Sequence, residues 1–107
     1  MQEFEKLYDT IMDRRENPQE GSYTCYLFDQ GLDKMLKKLG EECAETIIAC
    51  KNRSRREVIN ELADLAFHAA VLMAHLDIQP HEISAELALR AQKAGNLKQF
   101  RIVDKNS

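Results

Sequence analysis

Hydrophobic positions recur along this chain with helical spacing in several separate stretches. Over residues 2–14, Phe4, Leu7, Tyr8 and Ile11 fall on one side of a helix, the three- and four-residue spacing that buries a stripe against a core. Asn17-Pro18-Gln19-Glu20-Gly21-Ser22 is the clearest break, rich in residues that end helices and make turns. Ser22 or Thr24 is placed to cap a short turn after it. The helical period returns over 32–50. Lys51-Asn52-Arg53-Ser54 then makes a short polar connection, with Ser54 and Glu57 at capping-box spacing. The next helix is predicted over 55–76. It is apolar through its middle, which makes it the central and most buried element. A last helix is predicted over 81–93, opened by Pro80 and stopped by Gly95-Asn96. Residues 94–107 read as a tail. Short connections make successive helices antiparallel neighbours. The expected fold is therefore all-α, a four-helix bundle in one domain over 1–107.

Composition agrees with that pattern and narrows the function. The chain has 107 residues, 44% hydrophobic and 31% charged, with only four Gly and two Pro. This is enough for one domain with a modest core. A net charge of −3 argues against a sequence-independent nucleic-acid binder. No stretch approaches the roughly 20 apolar residues that span a bilayer, and the charged start MQEFEKLYDT lacks the apolar run of a signal peptide. Cys25, Cys43 and Cys50 are odd in number and lack C-x-x-C spacing. They read as reduced core residues of a cytoplasmic protein.

The candidate chemistry lies in two acidic clusters, Glu41-Glu42-Cys43-Ala44-Glu45 and Glu61-Leu62-Ala63-Asp64. Positions i and i+3 share a helix face, so Glu42 projects with Glu45 and Glu61 with Asp64. In the earlier helix, Leu32, Met35, Leu39, Cys43, Thr46, Ile47 and Cys50 form an apolar stripe about 120° wide, with Glu42 and Glu45 on its flank. In the later one, Glu57, Glu61, Asp64, His68 and His75 form a seam about 60° wide on an otherwise apolar surface. Ionised carboxylates in apolar surroundings need a partner. Two antiparallel helices would bring four oxygen donors together, a set suited to Mg²⁺, with Mn²⁺ as a substitute, and to substrate phosphates. Zinc would call for Cys or His at set spacing, so His68 and His75 read as packed, hydrogen-bonded histidines. Lys34 and Lys38 share the acidic side of their helix, where a polyphosphate would bridge metal and lysine. The bland alternative is a solvated face with helix-surface ion pairs, and it weighs most on Glu41 with Lys37 and Lys38.

E-E-x-x-E followed by E-x-x-D resembles the signature of the MazG-like all-α nucleoside triphosphate pyrophosphohydrolases. Within that group, D-R-R-E-N-P-Q-E-G-S-Y-T, G-L-D-K-M-L-K-K-L-G-E-E, I-I-A-C-K-N and E-L-A-D-L-A-F-H-A-A-V-L-M are similar to the phosphoribosyl-ATP pyrophosphatase family. The similarity covers roughly residues 4–90. It implies a helical bundle completed as a homodimer, and hydrolysis of phosphoribosyl-ATP to phosphoribosyl-AMP and pyrophosphate, the second step of histidine biosynthesis. It implies Glu42, Glu45, Glu61 and Asp64 as metal ligands, and Glu41 or Glu45 acting on the attacking water. It implies Arg14, Ser22, Tyr23, Thr24, Lys34, Lys38 and Lys51 as contacts to phosphate or sugar. Some relatives are fused to the cyclohydrolase that acts next; this chain, starting at Met, is expected to be the stand-alone form. The tail departs from the family pattern, and closing over the site, adding a dimer contact or doing neither are all open to it. Two rival readings carry different expectations. A housecleaning pyrophosphatase would act on free or damaged nucleotides with the same chemistry. A non-catalytic helical oligomerisation module would pair its seam with basic residues of a partner.

Overall fold

The computed structural model describes residues 2–93, and among them the chain is helical with no strand. The helices are α1 (Gln2–Glu16), α2 (Tyr23–Gln30), α3 (Leu32–Asn52), α4 (Arg55–His75) and α5 (Pro80–Gln92). The expected stop at Gly95-Asn96 and the tail 94–107 lie outside the described residues.

The main difference from the expected four helices is α2, a full helix where only a capped turn was expected. Ser22 caps it, its hydroxyl accepting from the Cys25 N–H at 3.2 Å, which satisfies one of the orphan donors of a helix start. A single residue joins α2 to α3. Gly31 has φ 88° and ψ −173°, a region essentially closed to residues with a Cβ. Glycine there lets two helices meet without a loop.

α3 and α4, each of 21 residues, are joined through Arg53 and Ser54 alone. So short a link forces them antiparallel, and they pack on each other more extensively than any other pair. Arg53 takes the left-handed conformation that ends α3 (φ 58°), and the Ser54 hydroxyl accepts from the Glu57 N–H at 3.3 Å. α1 lies along α4, and α2 bridges α1, α3 and α4. The core gathers Tyr8, Ile11, Leu27, Met35, Ala70, Val71 and Ala74. Arg15 fastens the end of α1 to the end of α4, donating to the Ala74 carbonyl and to Asp77 Oδ1, each at 2.7 Å. α5 opens with the Glu82 carboxylate accepting from the Gln79 N–H at 2.8 Å. It buries no residue.

Two sequence expectations fail on burial. Cys43 and Cys50 are exposed and Cys25 is half-buried, all three as free thiols, so α3 contributes no cysteine to the core. The cause is the rotation of α3. Its buried positions are Met35 and Ala49, which lie about 80° round the helix from the centre of the expected apolar stripe. Leu32, Leu36, Cys43 and Ile47 face outward instead, with Ile47 64% exposed. α4 is the most buried helix, as expected: His68, Ala70, Val71 and Ala74 are buried in its second half, while Ile59 and Leu62 in the first half are exposed.

Candidate active site

The rotation of α3 turns Glu42 and Glu45 toward α4 rather than to a flank. One carboxylate oxygen each from Glu42, Glu45 and Glu61 lie within 4.8 Å of one another. Glu42 sits one heptad from Met35 and from Ala49, on the side of α3 that packs, which is why its carboxylate is drawn inward. Oε2 of Glu42 and Oε2 of Glu61 are buried, and no donor among the described residues reaches either. Buried carboxylate oxygens without a donor are costly unless a cation or a proton supplies the missing partner.

The electrostatics express that cost. Glu61 is pushed from an ordinary 4.5 up to about 7, first by desolvation and then by the Glu45 and Glu42 carboxylates beside it. Glu42 is raised too. Burial is the main cause; the Glu45 and Asp64 charges add to it, and hydrogen bonding with Glu61 opposes it. Carboxylates this close favour keeping a proton among them. The donor set is all oxygen, as hard divalent cations prefer. Asp64 lies outside the 4.8 Å group and is exposed, one turn along α4 from Glu61. Glu41 is also outside it and pairs with Lys38 at 3.5 Å, the surface ion pair that the bland reading expected.

An open cleft of about 800 Å³ lies between the end of α1, the 17–22 connection and α2. Arg14, Ser22 and Tyr23 line it, together with Arg15, Tyr26 and Gly21. Arg14 is held by Asp13 at 3.0 Å. The Ser22 oxygen already caps α2. Tyr23 belongs to both regions: its ring lines the cleft, and its hydroxyl feels Lys38, Glu42 and Glu41. Burial raises its pKa and the Lys38 charge counters that rise. Lys38 is level with this junction. Along antiparallel helices, two turns back from Glu45 matches two turns on from Glu61, which places Lys38 opposite His68. Lys34 lies one turn further on, half-buried. Thr24, in the first turn of α2, is half-buried and absent from the cleft wall. Lys51 sits exposed in the last turn of α3, about 9 Å along the axis beyond Glu45 and away from the cleft.

His68 is packed and hydrogen-bonded, as expected: 7% exposed, with Nδ1 2.9 Å from the Asp64 carbonyl and Nε2 3.0 Å from the Tyr23 hydroxyl. Its link to Tyr23 was not anticipated, nor was Tyr26, which stacks on Tyr23 with ring centroids 6.0 Å apart. The only sequence signal for either was aromatic content in the 23–26 segment, which carries no address for a partner on α4.

Residues 4–91 match the family described as phosphoribosyl-ATP pyrophosphohydrolase. Curated relatives carry the name phosphoribosyl-ATP pyrophosphatase. One from Pelotomaculum thermopropionicum is 52% identical over 81% of this chain and 89% of its own. One from Clostridium acetobutylicum is 49% identical over 90% and 87%, and one from Streptococcus thermophilus 47% over 87% and 89%.

Proposed function

This chain belongs to the phosphoribosyl-ATP pyrophosphohydrolase family, and from that premise we propose that it hydrolyses phosphoribosyl-ATP to phosphoribosyl-AMP and pyrophosphate in histidine biosynthesis, with Mg²⁺ held by its acidic cluster. The observation that carries the metal reading is the trio of carboxylates within 4.8 Å, two of them with buried oxygens that lack a donor. Glu42, Glu45 and Glu61 would hold the ion, and Asp64 would join them by a side-chain rotation. Bound there, Mg²⁺ would polarise phosphate oxygens and lower the pKa of a water. The chain's own groups supply the rest. Glu45 or Glu41 takes the proton of the attacking water. That water's oxygen bonds to one phosphorus of the α–β phosphoanhydride while the bridging P–O bond breaks, releasing pyrophosphate. Lys38 and Lys34, on the same side of α3, offset the charge of the departing pyrophosphate. Arg14 and Tyr23 line the cleft that would take the remainder of the substrate.

The outward apolar face supports a homodimer. Leu36, Ile47, Ile48 and Leu62 on the α3–α4 hairpin and Ile83, Leu87 and Leu89 on α5 are each more than 40% exposed. So many large apolar side chains on the outside of so small a domain match a surface covered by a second copy. Among the described residues no helix is long and apolar enough to cross a membrane; a cytoplasmic setting fits free thiols and a biosynthetic reaction.

The test is pyrophosphate release from phosphoribosyl-ATP, with Mg²⁺ and with a chelator, beside a panel of common nucleoside triphosphates. Release from phosphoribosyl-ATP that chelation abolishes is the expected result. Release from deoxynucleoside triphosphates alone would move the chain to housecleaning. No release from any of them would leave an oligomerisation module.

A further inference from the structure

The polarity of one buried hydrogen-bond chain can be worked out atom by atom. A carbonyl oxygen only accepts, so His68 Nδ1, 2.9 Å from the Asp64 carbonyl, must carry the proton. Assigned as the Nδ1–H tautomer, the ring presents Nε2 as an acceptor. The Tyr23 hydroxyl, 3.0 Å away, donates to it. Burial keeps that hydroxyl protonated. The His68 ring is clamped as well, edge-on to Tyr23 at 5.8 Å and to Phe67 at 5.1 Å. Phe67 in turn stacks on Tyr23 at 6.0 Å. A histidine with both nitrogens committed and two aromatic rings packed against one side has one orientation, and it imposes one on its partner.

We infer that His68 is a positioning residue for substrate binding: it accepts the Tyr23 hydroxyl hydrogen, locks that ring in the wall of the cleft, and leaves the phenol oxygen an acceptor only. With its hydrogen spent on His68, Tyr23 cannot donate to a phosphate. Its ring shapes the cleft, and its free lone pairs can only accept from a donor of the substrate. The inference rests on the activity proposed above for this site.

The variants Tyr23→Phe, His68→Asn and His68→Gln separate this role from a merely structural one. Tyr23 is 45% exposed, so Tyr23→Phe should fold normally. A glutamine amide oxygen reaches the place of Nε2 and can still accept from Tyr23; asparagine reaches only the place of Nδ1. Tyr23→Phe and His68→Asn are each expected to raise KM for phosphoribosyl-ATP about tenfold with kcat within about threefold, and His68→Gln to restore KM. The double variant Tyr23→Phe/His68→Asn should be no worse than either single change. Loss of stability alone would lower the active fraction, hence kcat, and leave KM untouched. ¹⁵N NMR of the histidine ring gives a readout independent of turnover: a protonated Nδ1 and bare Nε2, with the Nε2 resonance moving in Tyr23→Phe. A wild-type KM in His68→Asn, multiplied effects in the double variant, or a proton on Nε2 would each overturn the inference. A wild-type protein inactive on phosphoribosyl-ATP would refute the activity instead, while the NMR result would still decide the hydrogen bond.

Discussion

If the acidic cluster holds a proton until a cation displaces it, cation affinity must follow the titration of Glu61. The perturbation is a change of pH from 8 to 6. With a pKa of about 7, Glu61 is about nine-tenths ionised at pH 8, about half at pH 7 and about one-tenth at pH 6, by simple titration. Only the ionised form ligates. The apparent affinity for Mg²⁺ or Mn²⁺ should therefore fall about tenfold between pH 8 and pH 6 from this group alone. Glu42, also raised, adds to the fall. A glutamate at the ordinary 4.5 would still be about 97% ionised at pH 6 and would change affinity by a few per cent. The two cases are well separated. Calorimetric titration with Mn²⁺ in pairs of buffers of different ionisation enthalpy measures affinity and proton release together. Binding should expel about 0.9 proton at pH 6, about 0.5 at pH 7 and about 0.1 at pH 8 from Glu61. Affinity that is flat from pH 6 to pH 8, with no proton released at pH 6, would refute the assignment of a shared cation site to these carboxylates.

The metal-free protein should lose stability as pH rises from about 4.5 to 7, because over that window the folded state binds more protons than the unfolded one; thermal melts in chelator, with and without excess Mg²⁺, check the slope and its removal by the ion. Glu61→Gln should raise the melting temperature in chelator at pH 8 while cutting turnover by orders of magnitude, and near-normal turnover at saturating Mg²⁺ would sink the ligand assignment. Gly31→Ala should cost about 1–3 kcal/mol in denaturant unfolding, since its backbone lies where a Cβ is not tolerated. If the proposed homodimer forms across the outward face of α3, the parent chain should sediment as a dimer and Ile47→Asp as a monomer of unchanged helicity; a monomeric parent, or a variant of unchanged mass, would refute that interface.

Much of this architecture was legible in the residues. Pro18 to Ser22 and Arg53-Ser54 announce themselves as breaks, and the acids they frame fall on helices that a two-residue link must fold together. The rotation of α3 was not legible, because the helix carries two apolar faces. Leu32, Leu36, Cys43 and Ile47 outweigh Met35 and Ala49 in any count of hydrophobicity, yet the smaller pair faces the core. A single sequence does not say which apolar face meets its own chain and which meets solvent or a neighbour. α2 has 8 residues, about two turns, too short for its period to emerge from the turn residues beside it. The Tyr23–His68 bond joins positions 45 apart, and no local rule pairs them. The raised pKa of Glu61 likewise needs three side chains in three dimensions.

The brevity of the α3–α4 link has a kinetic consequence. Glu42 and Glu61 are only 19 positions apart, so the loop that unites them closes at small entropic cost, whereas Arg15 reaches Asp77 across 62. Local contacts form before distant ones. The acidic cluster is thus expected to assemble before the N-terminal helix attaches, so that its mutual repulsion is already present in the folding nucleus. Protons or divalent cations that relieve this repulsion should then act on the refolding limb of the chevron, speeding folding with little change in the unfolding rate.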